Sequence, residues 1–415
     1  MSNTQSSQSQ TTVKLSVMMF LEFFIWGAWF VTIGVYLRQG MDFSAGLGTA
    51  YSVGPIAAII SPLFLGLFAD RFLPTQIVLG ICHLVGAVLL LLVPWSVQQE
   101  LDGSNGVFFW VLIAYMLFYM PTLGLTNSLA MSNVENTEKQ FPVIRVFGTI
   151  GWIAAGFLVG TVLKADATDI PFKVAAGASL VLGVFSFFLP HTPPPQKGQK
   201  VSAAEALGLG ALGMLKDFRF LIFALASMLI CIPLQAYYAY TATFMGDAGF
   251  ESPSGSMIWG QISEIVFMLI IPFLFRRLGV KWMLSIGMAC WVLRYVLFAV
   301  AAPEAVIWMI FGGVLLHGIC YDFFFVTGQI YTDQKAPKTI RGQAQALLVV
   351  LTQGVGMFIG AKINQAYFEK KVGVLVEEKV LDTWPDFWWM PAGLAAAILL
   401  VFMIFFKNDS EESQS

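Results

Sequence analysis

Glu22, Glu264, Arg294 and Asp322 each sit inside a stretch that is otherwise almost wholly apolar, and His83 and His317 share that setting. A charged side chain at the centre of a bilayer is unfavourable by about 2.5–3.5 kcal/mol or more, so its presence calls for a task or a partner. A carboxylate can take up and release a proton, and an imidazole can carry one. A guanidinium keeps its proton and offers only donors. Together these groups offer proton exchange and recognition of a polar solute away from water. Hydrolysis and group transfer leave other signatures, and the sequence contains no HExxH, GxSxG or P-loop pattern. The chain is therefore expected not to be an enzyme and to need no cofactor. Metal chemistry is not expected either. The three histidines lie far apart, and Cys82, Cys231, Cys290 and Cys320 lie in apolar runs without CxxC spacing. They read as small buried hydrophobes.

The elements that must carry these residues are long apolar helices. Of 415 residues, 57% are hydrophobic and 12% charged. Soluble domains carry about 25% charged residues, so a water-facing surface cannot be built here and the lipid bilayer is the expected surround. The net charge of -2 argues against nucleic acid as a partner. Apolar runs cover roughly 16–37, 46–69, 74–97, 106–131, 142–163, 171–190, 219–246, 256–275, 281–301, 304–331, 342–366 and 386–406. Each is near the ~20 residues that a helix needs to cross hydrocarbon. Membrane β-barrels alternate over about ten residues instead. The first run is too long for a signal-peptide core and reads as a span. The expected fold is an all-α membrane protein with twelve transmembrane helices.

The expected organisation is a polar tail over 1–15, a six-helix bundle over 16–190, a linker over 191–218, a second six-helix bundle over 219–406 and a tail over 407–415. The first dozen residues are polar and low in complexity, which predicts disorder. Basic loop residues favour one side by roughly two to one, which puts both termini in the cytoplasm. The linker opens with a proline-rich stretch and continues into a segment that could lie as an interfacial helix. Gly208, Gly210 and Gly213 there match GxGxxG formally, but no strand precedes them, so a nucleotide site is not expected.

Residues three, four and seven apart share a helix face. Arg145, Thr149 and Trp152 make one such stripe. Gln235 with Tyr238 makes a second, Gln261 with Glu264 a third, and His317 with Tyr321 a fourth, with Asp322 beside it. Each stripe mixes hydrogen-bonding groups with a ring or a charge, which does not suit lipid, and the four are expected to converge on a polar cavity between the bundles. Other readings stay open at this level. Glu264 and Asp322 could be structural partners of Arg294 or Arg145, Glu22 a packing hydrogen-bonder, and His83 a satisfied core histidine. Trp26, Trp29 and Phe30 could be simple packing.

The halves echo one another. Asp70 and Arg71 follow the second run of the first half, and Arg276 and Arg277 hold the same place in the second, about half a chain later. The fifth and eleventh runs each carry GxxxG, at Gly156–Gly160 and Gly356–Gly360, a spacing that lets helix backbones approach. Two six-helix bundles in pseudo-twofold repeat resemble the major facilitator fold. The stretch from Gly66 to Arg71 resembles that superfamily's loop signature, without its later glycine and basic pair. Asp70 and Arg71 are therefore expected in a conformational-switch loop, where the aspartate can bind Arg71 or a neighbouring helix dipole in one state only, with a plain surface charge at the membrane interface as the alternative.

Several pieces together resemble the nucleoside:proton symporter family. They are Phe23, Trp26, Gly27 and Trp29; Tyr119, Pro121, Thr122 and Gly124; Pro142, Arg145, Gly148, Thr149 and Gly151; Gln261 with Glu264; and Tyr321 with Asp322. The resemblance runs from the first helix to the eleventh. It implies import of nucleosides across the bacterial inner membrane, driven by protons, by a protein expected to be a monomer in keeping with its superfamily. It implies a substrate site of Arg145, Thr149, Trp152, Gln235, Tyr238, Gln261, Glu264, His317, Tyr321 and Asp322. Tyr238 and His317 stand where the family's nucleoside permease has an asparagine and a tyrosine, and Trp152 and Tyr321 where phenylalanine is usual.

The chemistry suits such a substrate. A base has a flat π-face for Trp152 and Tyr321, worth about 1–3 kcal/mol by analogy with single-strand binders. Ribose hydroxyls and a base edge need partners such as Gln235, Gln261 and Glu264. Proton coupling needs a carboxylate that can cycle, and Glu264, Asp322 and then Glu22 are the candidates. A different polar solute such as a sugar, or a nucleoside facilitator without proton coupling, is the alternative on the same fold.

Overall fold

The computed structural model describes residues 2–64, 73–135, 137–193, 202, 204, 209–337, 340–373 and 380–407. Asp70 and Arg71, the expected switch loop, lie outside the described residues. Within them every regular element is a helix. In chain order these are α1 (Ser2–Trp29), α2 (Gly46–Phe64), α3 (Thr75–Leu101), α4 (Val107–Ser132), α5 (Thr137–Gly156), α6 (Ile170–Ser186) and α7 (Phe218–Asp247). Pro253–Ala301 follows as two arms, α8 and α9, on either side of Gly279. Then come α10 (Ile307–Lys335), α11 (Gln343–Lys371) and α12 (Val380–Phe405). Ten helices among the described residues are long and apolar enough to cross a membrane, and Gly46–Ser61 and Ile170–Ser186 are shorter apolar helices. Large apolar side chains face outward on them, among them Trp110, Leu269, Trp308 and Ile404. Such a surface is suited to lipid and not to water.

The break between α8 and α9 is a backbone event. Gly279 adopts φ 67° and ψ 178°, a region open essentially to glycine alone. The sequence already placed a gap between runs at this point. The N-terminus differs from expectation. The polar tail is not separate from the first span, because α1 begins at Ser2. Residues 2–12 contain neither glycine nor proline, so extending a helix already nucleated by the apolar run adds a hydrogen bond per residue.

The chain divides into two compact units. The first comprises Met1–Phe43 and Ile56–Ala206, and the second Ser44–Pro55 and Leu207–Ser415. In the first unit α1 and α5 touch along their backbones. A Cβ on Gly151 would stand 2.1 Å from the Phe20 carbonyl oxygen, and one on Gly27 would stand 3.0 Å from the Trp152 Cα. At its other end the chain leaving α6 is pinned to α3: the Thr192 N–H donates to Gln76 Oε1 (3.0 Å), and Gln76 Nε2 meets His191 Nδ1 (3.0 Å).

In the second unit α11 lies against α7 through Gly356 and Gly360, whose added Cβ atoms would reach the Met228 carbonyl (2.3 Å) and Gln235 Cβ (2.9 Å). The GxxxG spacing of this helix thus serves close approach, as expected. Trp384, Trp388, Phe298 and Tyr295 form an aromatic core between α9 and α12. The linker's Leu209–Lys216 is a 3₁₀ turn and not a free interfacial helix. Ala211 is buried there with Ala336, Ala344 and Leu347, so the turn is packed onto protein.

Candidate functional site

Glycines at two helix crossings build the polar cluster of the second unit. A Cβ on Gly318 of α10 would stand 2.4 Å from the Ser263 carbonyl carbon and 2.6 Å from the Glu264 N. A Cβ on Gly260 of α8 would stand 3.1 Å from His317 Cβ. The missing side chains at these positions let the two backbones come close, and Glu264 faces His317. Ser263 ties the crossing by donating to the Leu315 carbonyl at 2.6 Å.

His317 is buried and Glu264 only partly so. Their Nε2 and Oε2 atoms are 3.9 Å apart. Tyr237 stacks on the imidazole, with ring centroids 4.9 Å apart and 16° between planes. Tyr238 meets its edge at 6.0 Å and Tyr321 lies at 5.7 Å. The histidine is thus boxed by three tyrosines, of which Tyr237 lies outside the stripes that helical spacing picks out. Its neighbour Tyr238 shares the Gln235 face by spacing, but the signal that could have found Tyr237 is the run of two adjacent tyrosines on one helix.

Asp322 is fully buried, and neither carboxylate oxygen has a hydrogen-bond partner among the described residues. It opens a π-helical turn, Asp322–Val326, in the middle of α10. Such turns are rare and are frequently found at functional sites. A second irregularity precedes it at Leu316, between Ile307–Leu315 and His317–Tyr321. Gln235 is buried on α7 and donates to the Tyr51 carbonyl at 3.3 Å, with no partner for its own oxygen among the described residues. Gln261 is partly buried one turn before Glu264. Among the described residues no ion pair joins Glu264 or Asp322 to Arg294, whose polar contacts are the Gly313 carbonyl, His317 and the Tyr295 side chain.

In the first unit Arg145, Thr149 and Trp152 are all partly buried on one face of α5. The Arg145 guanidinium lies over the Phe23 ring at 4.1 Å. Trp152 meets Trp26 edge-on at 5.6 Å and Phe30 at 6.3 Å, so the expected aromatic patch of α1 is in contact with the α5 stripe. Glu22 is different. It is fully buried, His83 Nε2 is 2.8 Å from its Oε2, and Thr122 donates to its Oε1 at 2.6 Å. Ser179 lies 3.3 Å from the other nitrogen of His83. The two readings left open for these residues, a packing hydrogen-bonder and a satisfied core histidine, describe this arrangement. Among the described residues no group of three or more histidine, cysteine or acidic side chains could hold a metal ion.

Comparison with known proteins adds the context. Residues 9–411 match the family model described as nucleoside H+ symporter. The chain is 41% identical to YegT of Escherichia coli (strain K12), over 97% of this chain and 95% of that one. It is 31% identical to the xanthosine permease of the same organism, over 96% of each. Two crystal structures of nucleoside transporter NupG match with TM-scores of 0.86 and 0.84 at 29% identity, over 96% of this chain and 100% of theirs. The match covers nearly the whole chain in sequence and in fold, and the chain belongs to the nucleoside H+ symporter family.

Proposed function

We propose that this chain imports nucleosides in symport with protons, by alternating access, across the bacterial inner membrane. The observation that carries the reading is the family match over 9–411, joined to a buried carboxylate, Asp322, that has no hydrogen-bond partner among the described residues. The protein is a membrane transporter and not an enzyme, and its cargo chemistry needs no cofactor.

Arg145, Thr149 and Trp152 of the first unit and Gln235, Tyr238, Gln261, Glu264, His317, Tyr321 and Asp322 of the second are assigned to the nucleoside. Trp152 and Tyr321 offer rings for the base, and the amides and Glu264 offer partners for its edge and for ribose hydroxyls. Asp322 is the preferred proton carrier and Glu264 the second. Glu22, the third candidate, has both oxygens engaged by His83 and Thr122, and a holding role suits it better. Protonation of Asp322 favours loading from outside, and its deprotonation accompanies release inside. One proton crossing 100 mV contributes about 2.3 kcal/mol, enough for roughly fifty-fold accumulation.

The reading includes twelve crossings in two repeated halves, both termini in the cytoplasm, a lipid surround and a monomer. Support for the repeat comes from paired features: π-helical turns at Phe157–Val162 and Val350–Gly356, and outward tryptophans near the starts of α4 and α10, Trp110 and Trp308. The switch role of Asp70 and Arg71 is part of the same proposal. Uptake of labelled uridine into proteoliposomes tests it, with unlabelled adenosine and glucose as competitors. Competition by adenosine and not by glucose is expected. Competition by glucose alone would replace the nucleoside by a sugar, and uptake indifferent to the proton gradient would make the protein a facilitator.

A further inference from the structure

Arg294 is a buried charge to which the transport cycle gives no task. It is fully buried in α9, and its guanidinium lies 4.0 Å from the centroid of the Tyr237 ring. Its Nε donates to the Gly313 carbonyl at 3.0 Å. Its terminal nitrogen is 3.4 Å from His317 Nδ1. No carboxylate among the described residues lies within ion-pair distance of it. A charge this expensive to bury is not there to neutralise a neighbour.

Its effect on His317 follows from donor and acceptor chemistry. A guanidinium has donors and no acceptor, so Nδ1 of His317 must be the acceptor. The imidazole is then neutral and carries its proton on Nε2, the nitrogen that faces Glu264 Oε2 at 3.9 Å. That distance is too long for a direct hydrogen bond. It leaves a donor and an acceptor on two sides of a gap that one oxygen, about 2.8 Å from each, can bridge. A hydroxyl group accepts from the first and donates to the second; an ether oxygen does only the first and a methylene neither. Tyr237 stacks on one face of the ring, and the contact of Nδ1 with Arg294 sets which nitrogen faces Glu264.

We propose that Arg294 is a positioning residue that fixes the Nε2–H form of His317, and that the His317–Glu264 pair takes a hydroxyl group of the substrate. The hydroxyl half of this rests on the nucleoside reading, where the ribose supplies it. The Arg294 half does not.

Two measurements on the full-length purified protein test it. The first uses ¹⁵N-labelled histidine, with the His317 signals identified by their loss in His317→Phe. The expected spectrum shows a neutral His317 protonated on Nε2 in the wild type and a mixture of both forms in Arg294→Met. A wild-type His317 protonated on Nδ1, or on both nitrogens, overturns the Arg294 assignment. The second compares uptake of uridine with that of 2′-deoxyuridine and 3′-deoxyuridine. The wild type is expected to disfavour one of the two analogues about tenfold in KM, the size of one hydrogen bond to a charged pair. Arg294→Met is expected to raise the uridine KM about tenfold with Vmax within twofold and to lose the discrimination. Arg294→Gln, which keeps an N–H donor, is expected to restore both. Should Arg294→Met fail to fold, His317→Phe carries the same expectation. Unchanged discrimination in either variant overturns the hydroxyl assignment. A folded wild type that takes no nucleoside overturns the nucleoside reading and the ribose hydroxyl with it, while the ligand-free spectrum still decides the role of Arg294.

Discussion

Glu22 of α1 and His83 of α3 meet at 2.8 Å in the interior of the first unit, although 61 residues separate them in the chain. Thr122 of α4 donates to the other carboxylate oxygen, and Ser179 of α6 reaches the other imidazole nitrogen. The pair therefore joins four helices and has both oxygens of the carboxylate engaged within the protein. Removing one member of a buried pair strands the other, at a cost of about 3 kcal/mol or more. Glu22→Ala is expected to lower the thermal stability of the purified protein by about that amount, and Glu22→Gln by less. Both variants, where folded, are expected to retain gradient-driven uptake. Loss of coupling in a Glu22→Gln protein of wild-type stability would return Glu22 to the proton path.

The crossing of α8 and α10 is set by Gly318, where a methyl group would overlap the Ser263 and Glu264 backbone. Overpacking of this kind typically costs about 1–3 kcal/mol, here by moving Glu264 away from His317. Gly318→Ala is expected to cut uridine uptake at least tenfold at equal membrane expression. Gly393→Ala in α12 is the control, since nothing lies within 4 Å of its added Cβ. Equal uptake in the two variants would remove the crossing from the account.

Trp152 stands against Trp26 and Phe30 with part of its ring exposed. If it stacks on the base, its loss costs about 1–3 kcal/mol of binding. Trp152→Ala is expected to raise the KM for uridine tenfold or more, and Trp152→Phe to keep most of the affinity. A Trp152→Ala protein with an unchanged KM would assign this ring to packing alone.

The helices and the unusual charges were legible in the sequence because each is a local signal. Apolar runs near the hydrocarbon thickness gave the spans, and Gly279 fell in a gap between two of them. The stripes on α5, α7, α8 and α10 followed from helical spacing. What spacing cannot give is a partner on another helix. Glu22 and His83 were singled out separately, but their pairing depends on how α1 and α3 pack. Pairing of Arg294 with a carboxylate was one of the open alternatives, since opposite charges invite it; the fold instead turns this guanidinium to a carbonyl and an imidazole. The π-helical turn at Asp322 left no mark in the residue pattern, since one extra residue in a helical turn does not change composition. The N-terminal tail was misjudged for a related reason: polarity speaks about the solvent a segment prefers and not about whether a helix can run through it.

The central claim is that a buried carboxylate of the second unit couples proton entry to nucleoside import. Its most direct test is uptake of radiolabelled uridine into proteoliposomes, with and without an inward proton gradient, for the wild type, Glu264→Gln and Asp322→Asn. The account predicts gradient-driven accumulation in the wild type. It predicts loss of accumulation in Asp322→Asn with exchange of internal for external uridine preserved, and weakened binding in Glu264→Gln. Concentrative, gradient-dependent uptake retained by both variants, or no uridine uptake by folded wild-type protein, would contradict it.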